Sequence, residues 1–202
     1  MKITKDLYQS NLVLLTDFYQ LTMAYAYWKS GKGEQEAVFN LFFRKNPFEG
    51  GFTLAAGLDY VVDFCSNMHF GESELDYLRQ MMQKDGSPLF EEAFLAYLKD
   101  LRFTCDVDAV EEGTVVFPNA PLVQVKGTLI QCQLLETPLL NILNFQTLIA
   151  TKAARINLAT QGAPVLEFGL RRAQGIDGAL AASRASYIGG CSSTSNVMAG
   201  KL

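Results

Sequence analysis

The stretch PVLEFGLRRAQGIDGALAASRASYIGG, residues 164–190, sets the tightest limit on the fold. PVLEFGL reads as a buried-type strand, RRAQGIDG as a loop, and ALAASRASYIGG as a helix with a glycine stop. A short Gly/Ser/Thr-rich loop, GGCSSTSN at 189–196, then opens the next element. Strand, loop, helix, loop is one βα unit entering another, which places the chain in the α/β class. An α/β barrel carries its ligand chemistry on the loops after its strands, and Arg171 and Arg172 stand at such a place. The chain stops before enough units accumulate to close a barrel, so the expectation is the first units of one, incomplete.

Upstream, the periodicity changes several times. TDFYQLTMAYAYWKSGKG reads as a helix with Thr16 as N-cap, Asp17 in its first turn and Gly31 as its stop. Tyr19 then lies in the first turn, near exposed amides. AVFNLFFR at 37–44 reads as a strand, KNPFEGG as a turn, and FTLAAG as either a second strand or a helix entry. Residues 58–69, 73–84 and 88–101 read as three short helices, the third capped by Ser87 with Pro88 in its first turn.

Between 103 and 133 the period becomes two, and FTCDVDAV, GTVVFP, PLVQVKG and TLIQCQLL read as a small antiparallel sheet. ETPLLNILNFQTLIATKAARINLAT follows as a helix, with Thr137 as N-cap, Pro138 at its first position, and Lys152 and Arg155 late in it. Asn141, Asn144, Thr151 and Arg155 form a polar stripe on it, either a solvated face or a ligand face. The expected organisation is an N-terminal α/β domain over 1–136 and the start of an α/β barrel domain over 137–202.

Nearly half of the residues are apolar, enough for a well-buried core. The formal net charge of −4, with no basic run, argues against a nucleic-acid surface. Phosphate binding stays open, because it needs only backbone amides and one or two cations. MKITKDLYQSN has no apolar core before a cleavage site, and no apolar run approaches the roughly 20 residues of a membrane span. A soluble cytoplasmic protein, without membrane or nucleic-acid partners, is expected. Cys65, Cys105, Cys132 and Cys191 form no C-x-x-C pair, and with His69 the single histidine a zinc site is not expected. Reduced thiols are expected instead. No P-loop, G-x-G-x-x-G or G-x-S-x-G motif is present, and His69, at a helix end in SNMHFGES, is not read as catalytic.

Two adjacent arginines past a strand suit a carboxylate or phosphate ligand, or serve as surface charge with Asp177 as a partner. Phe168 is either a core residue or one wall of a slot for a flat aromatic ligand, and Tyr19 presents the same choice. Thr194 and Ser195 lie in a loop with the composition of a phosphate cradle, or of a plain turn.

Five strings in order, LLTDFYQLTMAYAYWKSG, VFNLFFRKNPFEGGFTLAAGL, EGTVVFPNAPLVQVKG, LLETPLLNILNFQTLIATKAARI and LEFGLRRAQGIDGALAASRASYIGG, resemble nicotinate phosphoribosyltransferase. The resemblance implies a type II phosphoribosyltransferase fold, an N-terminal α/β domain with a small antiparallel sheet beside an irregular α/β barrel. It implies the reaction of nicotinate with phosphoribosyl pyrophosphate to give nicotinate mononucleotide, an entry step of NAD salvage. ATP assists through a phosphorylated histidine, magnesium accompanies the pyrophosphate, and a head-to-tail homodimer completes the active site.

Carried onto this chain, Phe168 corresponds to the ring that stacks on the pyridine. Tyr19 corresponds to the opposing ring, from the partner subunit. Arg171 corresponds to the anion contact, with Arg172 as a helper. The family's phosphorylated histidine falls beyond Leu202. The expectation is therefore the N-terminal portion of such an enzyme, inactive alone. The alternative is a non-catalytic pyridine-binding fragment or a truncation product.

Overall fold

The computed structural model describes residues 11–202, and the N-terminal reading above lies almost wholly outside them. The chain forms two interleaved compact units. One comprises the described residues up to Phe39 with Val62–Val107 and Val125–Pro138, and the other comprises Asn40–Val61, Asp108–Gln124 and Leu139–Leu202. β1 (Glu36–Leu41), β5 (Val123–Thr128) and β3 (Asp106–Ala109) form a three-stranded sheet in that order.

In the first unit, α1 (Phe18–Lys29) begins one residue later than expected, with extended Asp17 at the N-cap. The Thr16 hydroxyl has no partner among the described residues. Thr137 does not cap its own helix but serves this one: its hydroxyl donates to Asp17 Oδ2 at 3.0 Å. Gly31, at φ +70°, stops the helix as expected. Tyr25 and Trp28 of α1 pack on Phe94 of α4 (Glu92–Asp100), with ring centroids 5.1 and 5.6 Å apart. The other short helices are α2 (Leu58–Asn67) and α3 (Glu72–Arg79).

Ser87 does not open a helix. Its amide and hydroxyl both donate to Asp85 Oδ1, at 3.0 and 2.6 Å, and Pro88 bridges back to Met82. That local turn competes with capping, so α4 begins at Glu92.

TLIQCQLL departs furthest from its expected structure. It is not a strand but the first turns of α5, a helix of 31 residues running Leu129–Ala159 with Pro138 inside it. Residues 130–135 are all buried, so the helix has no solvated face here to reveal its period. The polar residues that imitate alternation are buried glutamines with partners. Gln131 exchanges hydrogen bonds with Thr104 N and Oγ1, both at 2.9 Å, and Gln133 donates to Gln20.

In the second unit, FTLAAG resolves as β2 (Thr53–Leu54), antiparallel to β4 (Val115–Val116) with Thr53 opposite Val116. The polar stripe of α5 divides. Asn141 and Asn144 face solvent, whereas Thr151 is fully buried and accepts from Leu54 N at 2.9 Å. Arg155 donates to Phe48 O at 2.6 Å, bracing a turn in which Phe48 and Glu49 both hold positive φ, +58° and +52°.

β6 (Leu166–Glu167) and β7 (Ser193–Thr194) run parallel, with Leu166 opposite Ser193 and Glu167 opposite Thr194. They are joined by α6 (Gly175–Ile188), as a βα unit requires. Leu54, Ala56, Ala150 and Ala185 form a small core here, flanked by Ile149, Ala154 and Ile188. The short α7 (Val197–Lys201) follows β7, capped by Asn196, whose side chain accepts from Ala199 N at 3.3 Å.

Candidate functional site

PVLEFGL is not buried. Its partner strand among the described residues is β7, and both Leu166 and Phe168 are 61% exposed. Side chains alternate along a strand, so Glu167 turns the other way. Its carboxylate meets three donors: Gly169 N at 2.5 Å, Ser183 Oγ at 3.0 Å and Thr194 Oγ1 at 2.5 Å. Burial works to raise this carboxyl, but the hydrogen bonds from Thr194, Gly169 and Ser183 outweigh it and hold Glu167 below its ordinary value.

After Gly169 the chain makes a single tight turn, Leu170–Arg172, with Arg172 N donating to Gly169 O at 2.8 Å. Gly175, at φ +86°, then redirects it into α6. Arg171 and Arg172 are both exposed, and neither has an ion-pair partner among the described residues, Asp177 included. Their surroundings differ. Arg172 lines an apolar pocket of about 350 Å³ with Phe145, Ile149, Lys152 and Leu170, and Arg171 does not.

Thr194 lies in β7 rather than in a loop, and its hydroxyl is engaged by Glu167. Ser195 is exposed and its amide donates to Glu167 O at 2.9 Å. The amides of Cys191, Ser192 and Asn196 are likewise taken, by Ser186 O, Val165 O and Thr194 Oγ1. Of the 189–196 segment, the Ser195 hydroxyl is the polar group of the two candidates that stays open to solvent.

Tyr19 belongs to the first unit, in the first turn of α1 as expected, and is 47% exposed. Its phenol donates to Glu136 Oε1 at 3.2 Å and accepts from Gln20 Nε2 at 2.8 Å. Desolvation, then the negative charge of Glu136 and Asp17, push the phenol above its ordinary value.

Three charged residues near these candidates escaped the sequence reading. Besides Glu167, they are Arg184 and Glu112, which form a bidentate pair at 2.8 and 2.6 Å. Arg184 also pairs with Asp59 and lies over the Tyr60 ring, 5.7 Å from its centroid. It borders an open cleft of about 490 Å³ shared with Tyr60, Ser183, Tyr187, Thr194 and Cys191. A local hint was the arginine among the small residues of ALAASRAS.

Among the described residues no group of three or more His, Cys, Asp and Glu side chains could hold a metal ion, and no helix is long and apolar enough to cross a membrane. His69 lies two residues past the end of α2, its ring Nδ1 2.7 Å from Asn67 O. All four cysteines are free and buried.

The sequence matches the family described as nicotinate phosphoribosyltransferase (NAPRTase) N-terminal domain over residues 14–144. It is 50% identical over 197 residues to nicotinate phosphoribosyltransferase of Caenorhabditis elegans, covering 96% of this chain and 34% of the relative. Against the human nicotinate phosphoribosyltransferase it is 47% identical over 191 residues, covering 94% of this chain and 35% of that one.

The crystal structure of human nicotinic acid phosphoribosyltransferase superposes with a TM-score of 0.84 at 46% identity, over 93% of this chain and 37% of that one. A nicotinate-nucleotide pyrophosphorylase structure from Pyrococcus furiosus, 22% identical with a TM-score of 0.69 over 94% of this chain and 39% of that one, shares the fold. The α/β fold expected from the sequence, with its small sheets, is thus the observed one. The chain spans about a third of the length of the curated relatives it matches. On the match that covers residues 14–144, the chain belongs to the nicotinate phosphoribosyltransferase N-terminal domain family.

Proposed function

We propose that this protein serves nicotinate phosphoribosyl transfer, with the turn after β6 as its pyridine- and anion-recognition element. The observation that carries this reading is that Phe168 and Arg171, both exposed and the latter without an ion-pair partner among the described residues, stand at the C-terminal end of a parallel strand, where α/β folds bind ligands. A flat heteroaromatic acid would stack on the Phe168 ring and place its carboxylate or the adjacent phosphate against Arg171. Arg172, beside Lys152, would add positive potential. Ser195 would offer a hydroxyl to phosphate, and Thr194 would hold the strand end.

In the proposed reaction the pyridine nitrogen of nicotinate bonds to the anomeric carbon of phosphoribosyl pyrophosphate as the bond to pyrophosphate breaks, giving nicotinate mononucleotide. Tyr19 would face the pyridine as a second ring, donated by the other subunit of a homodimer. Glu136 fixes its phenol in a defined orientation. The setting would be NAD salvage in the cytoplasm.

Magnesium would enter together with the pyrophosphate of the substrate, whose oxygens are its ordinary ligands.

The test is formation of nicotinate mononucleotide by the purified protein with magnesium, with and without ATP, alongside nicotinate binding by calorimetry. Loss of both on Phe168→Ala and Arg171→Ala is the expected result. Nicotinate binding without product would keep the recognition element and remove the transfer. Unchanged binding in both variants would overturn the reading.

A further inference from the structure

We propose that Glu167 is a positioning residue, whose carboxylate ties the turn bearing Phe168 and Arg171 to α6 and β7. The inference rests on the reading of that turn as the pyridine-recognition element.

The strand PVLEFGL is otherwise apolar, and a carboxylate on its inward side costs desolvation that a leucine there would not. What the carboxylate supplies is acceptors. Oε1 takes the Gly169 amide at 2.5 Å, the peptide immediately after Phe168. Oε2 takes the hydroxyls of Ser183, in the middle of α6, and Thr194, at the end of β7. Asn196 extends the network, with its amide 3.0 Å from Thr194 Oγ1 and its Nδ2 3.3 Å from Ser183 Oγ. The backbone repeats the link, because Ser195 N donates to Glu167 O at 2.9 Å.

The donors around this carboxylate are neutral. Among the described residues no cation pairs with it, and the Cys191 thiol, raised by burial and further by this charge, is the titratable group that it influences. Neutral hydrogen bonds are directional, whereas a distant cation is not, so this arrangement fixes orientation as well as charge. Gly169 lets the turn come close: a Cβ there would meet Glu167 Oε1 at 3.1 Å.

Phe168 and Arg171 are both largely exposed, so packing around them does little to hold them. Phe168 is 61% exposed and Arg171 lies in a turn of three residues. Their placement therefore depends on the backbone between them, and Glu167 grips that backbone at Gly169. Shape-preserving Glu167→Gln can keep Oε1 as an acceptor for Gly169 N while its amide donates to the two hydroxyl oxygens, which can turn to accept. Glu167→Ala removes all three contacts.

The experiment follows the backbone amides of the uniformly ¹⁵N-labelled protein by NMR, together with nicotinate affinity, in wild type, E167Q, E167A, F168A and R171A. In wild type the Gly169 amide should move with pH as Glu167 titrates, with a midpoint below the ordinary glutamate range, and E167Q should abolish that movement. In E167A the amides of residues 169–173 should exchange with solvent at least about tenfold faster, and the nicotinate dissociation constant should rise roughly tenfold, with E167Q close to wild type.

A Gly169 amide that does not titrate, or unchanged exchange in E167A, would overturn the proposal. So would faster exchange with unchanged nicotinate affinity, provided F168A and R171A weaken binding. If F168A and R171A leave affinity unchanged, the functional reading fails instead, and the amide data still decide whether Glu167 holds the turn. Should E167A not fold, the wild-type titration and E167Q decide alone.

Discussion

The guanidinium of Arg184 grips the carboxylate of Glu112 through two hydrogen bonds, Nη1 to Oε1 at 2.8 Å and Nη2 to Oε2 at 2.6 Å. Glu112 also accepts from the amides of Gly57 and Leu58, at 2.5 and 2.9 Å, where α2 begins. One carboxylate thus joins α6 to an orphaned helix N-terminus. Arg184→Ala would leave a carboxylate that is only 17% exposed without its counter-charge. Because Arg184 itself keeps 29% exposure, the loss should fall short of a fully buried pair, at about 2 kcal/mol. Arg184→Lys keeps the charge but not the fork and should lose about 1 kcal/mol. Urea unfolding of both variants reads this directly, and an Arg184→Ala midpoint equal to wild type would contradict it.

Acid should weaken the second unit through the same groups. Burial tends to raise Glu112, but Arg184 and the two amides hold it lower than usual, and Glu167 is lowered too. A depressed folded value means stability that is full above the ordinary carboxylate range and lost as pH falls through the depressed values. Unfolding midpoints followed from pH about 7 down to about 3 should fall steeply at the acid end. Glu112→Gln should lower stability at neutral pH and flatten that fall.

Gly189 sits where α6 closes on α5. A Cβ there would stand 2.5 Å from Ala150 O and 2.6 Å from Ala153 Cβ. Its φ of −74° suits any residue, so the penalty of Gly189→Ala is steric, about 2 kcal/mol. Gly31 is the opposite case, with φ +70° and open space around it. Gly31→Ala should lose about 1 kcal/mol for left-handed backbone alone. Thermal unfolding of the two variants separates the causes, since Gly189→Ser should be worse than Gly189→Ala whereas Gly31→Asn should recover most of the loss.

Phe94 is wholly buried and touches Tyr25, Trp28, Phe90 and Tyr97, with ring centroids between 5.1 and 6.3 Å. Phe94→Ala should cost about 3–5 kcal/mol. The single tryptophan, Trp28, packs on that ring, so its emission should shift to the red in the folded variant as water enters. An unshifted spectrum with wild-type stability would show the cluster to be unimportant.

Burial pushes the Cys65 thiol up to about 11 and Cys105 up to about 12, and Cys132 and Cys191 also lie above their usual value. With little thiolate at pH about 8 and little access, an aromatic disulfide reagent should label the native protein slowly. All four thiols should react at once in guanidinium. Rapid native labelling of any one would mark a local opening.

The sequence by itself determined those features whose causes lie within a few residues. Gly31 ends α1 because its own backbone permits a left-handed stop, and Tyr19 falls in the first turn because that stop and Asp17 frame the helix. The βα unit of 164–190 was readable from apolar runs and glycines, and the string around Phe168 and Arg171 was the last of five that carried the family resemblance, which the similarity over 96% of the chain supports. Where partners are distant, local reading failed. Gln131 and Gln133 look like the outward residues of a strand until Thr104 and Gln20 bury and satisfy them, which lets α5 start at Leu129. Leu166 and Phe168 look like core until the pairing of β6 with β7 leaves them exposed.

The residues that hold the candidate site were decided by tertiary structure alone. Glu167 meets Ser183 and Thr194 from 16 and 27 positions away, and Arg184 meets Glu112 from 72. A charged residue carries no local mark of the donor it will face. Propensity and periodicity act over single turns and strands, whereas the donor for a half-buried carboxylate is chosen only when separate elements close around it.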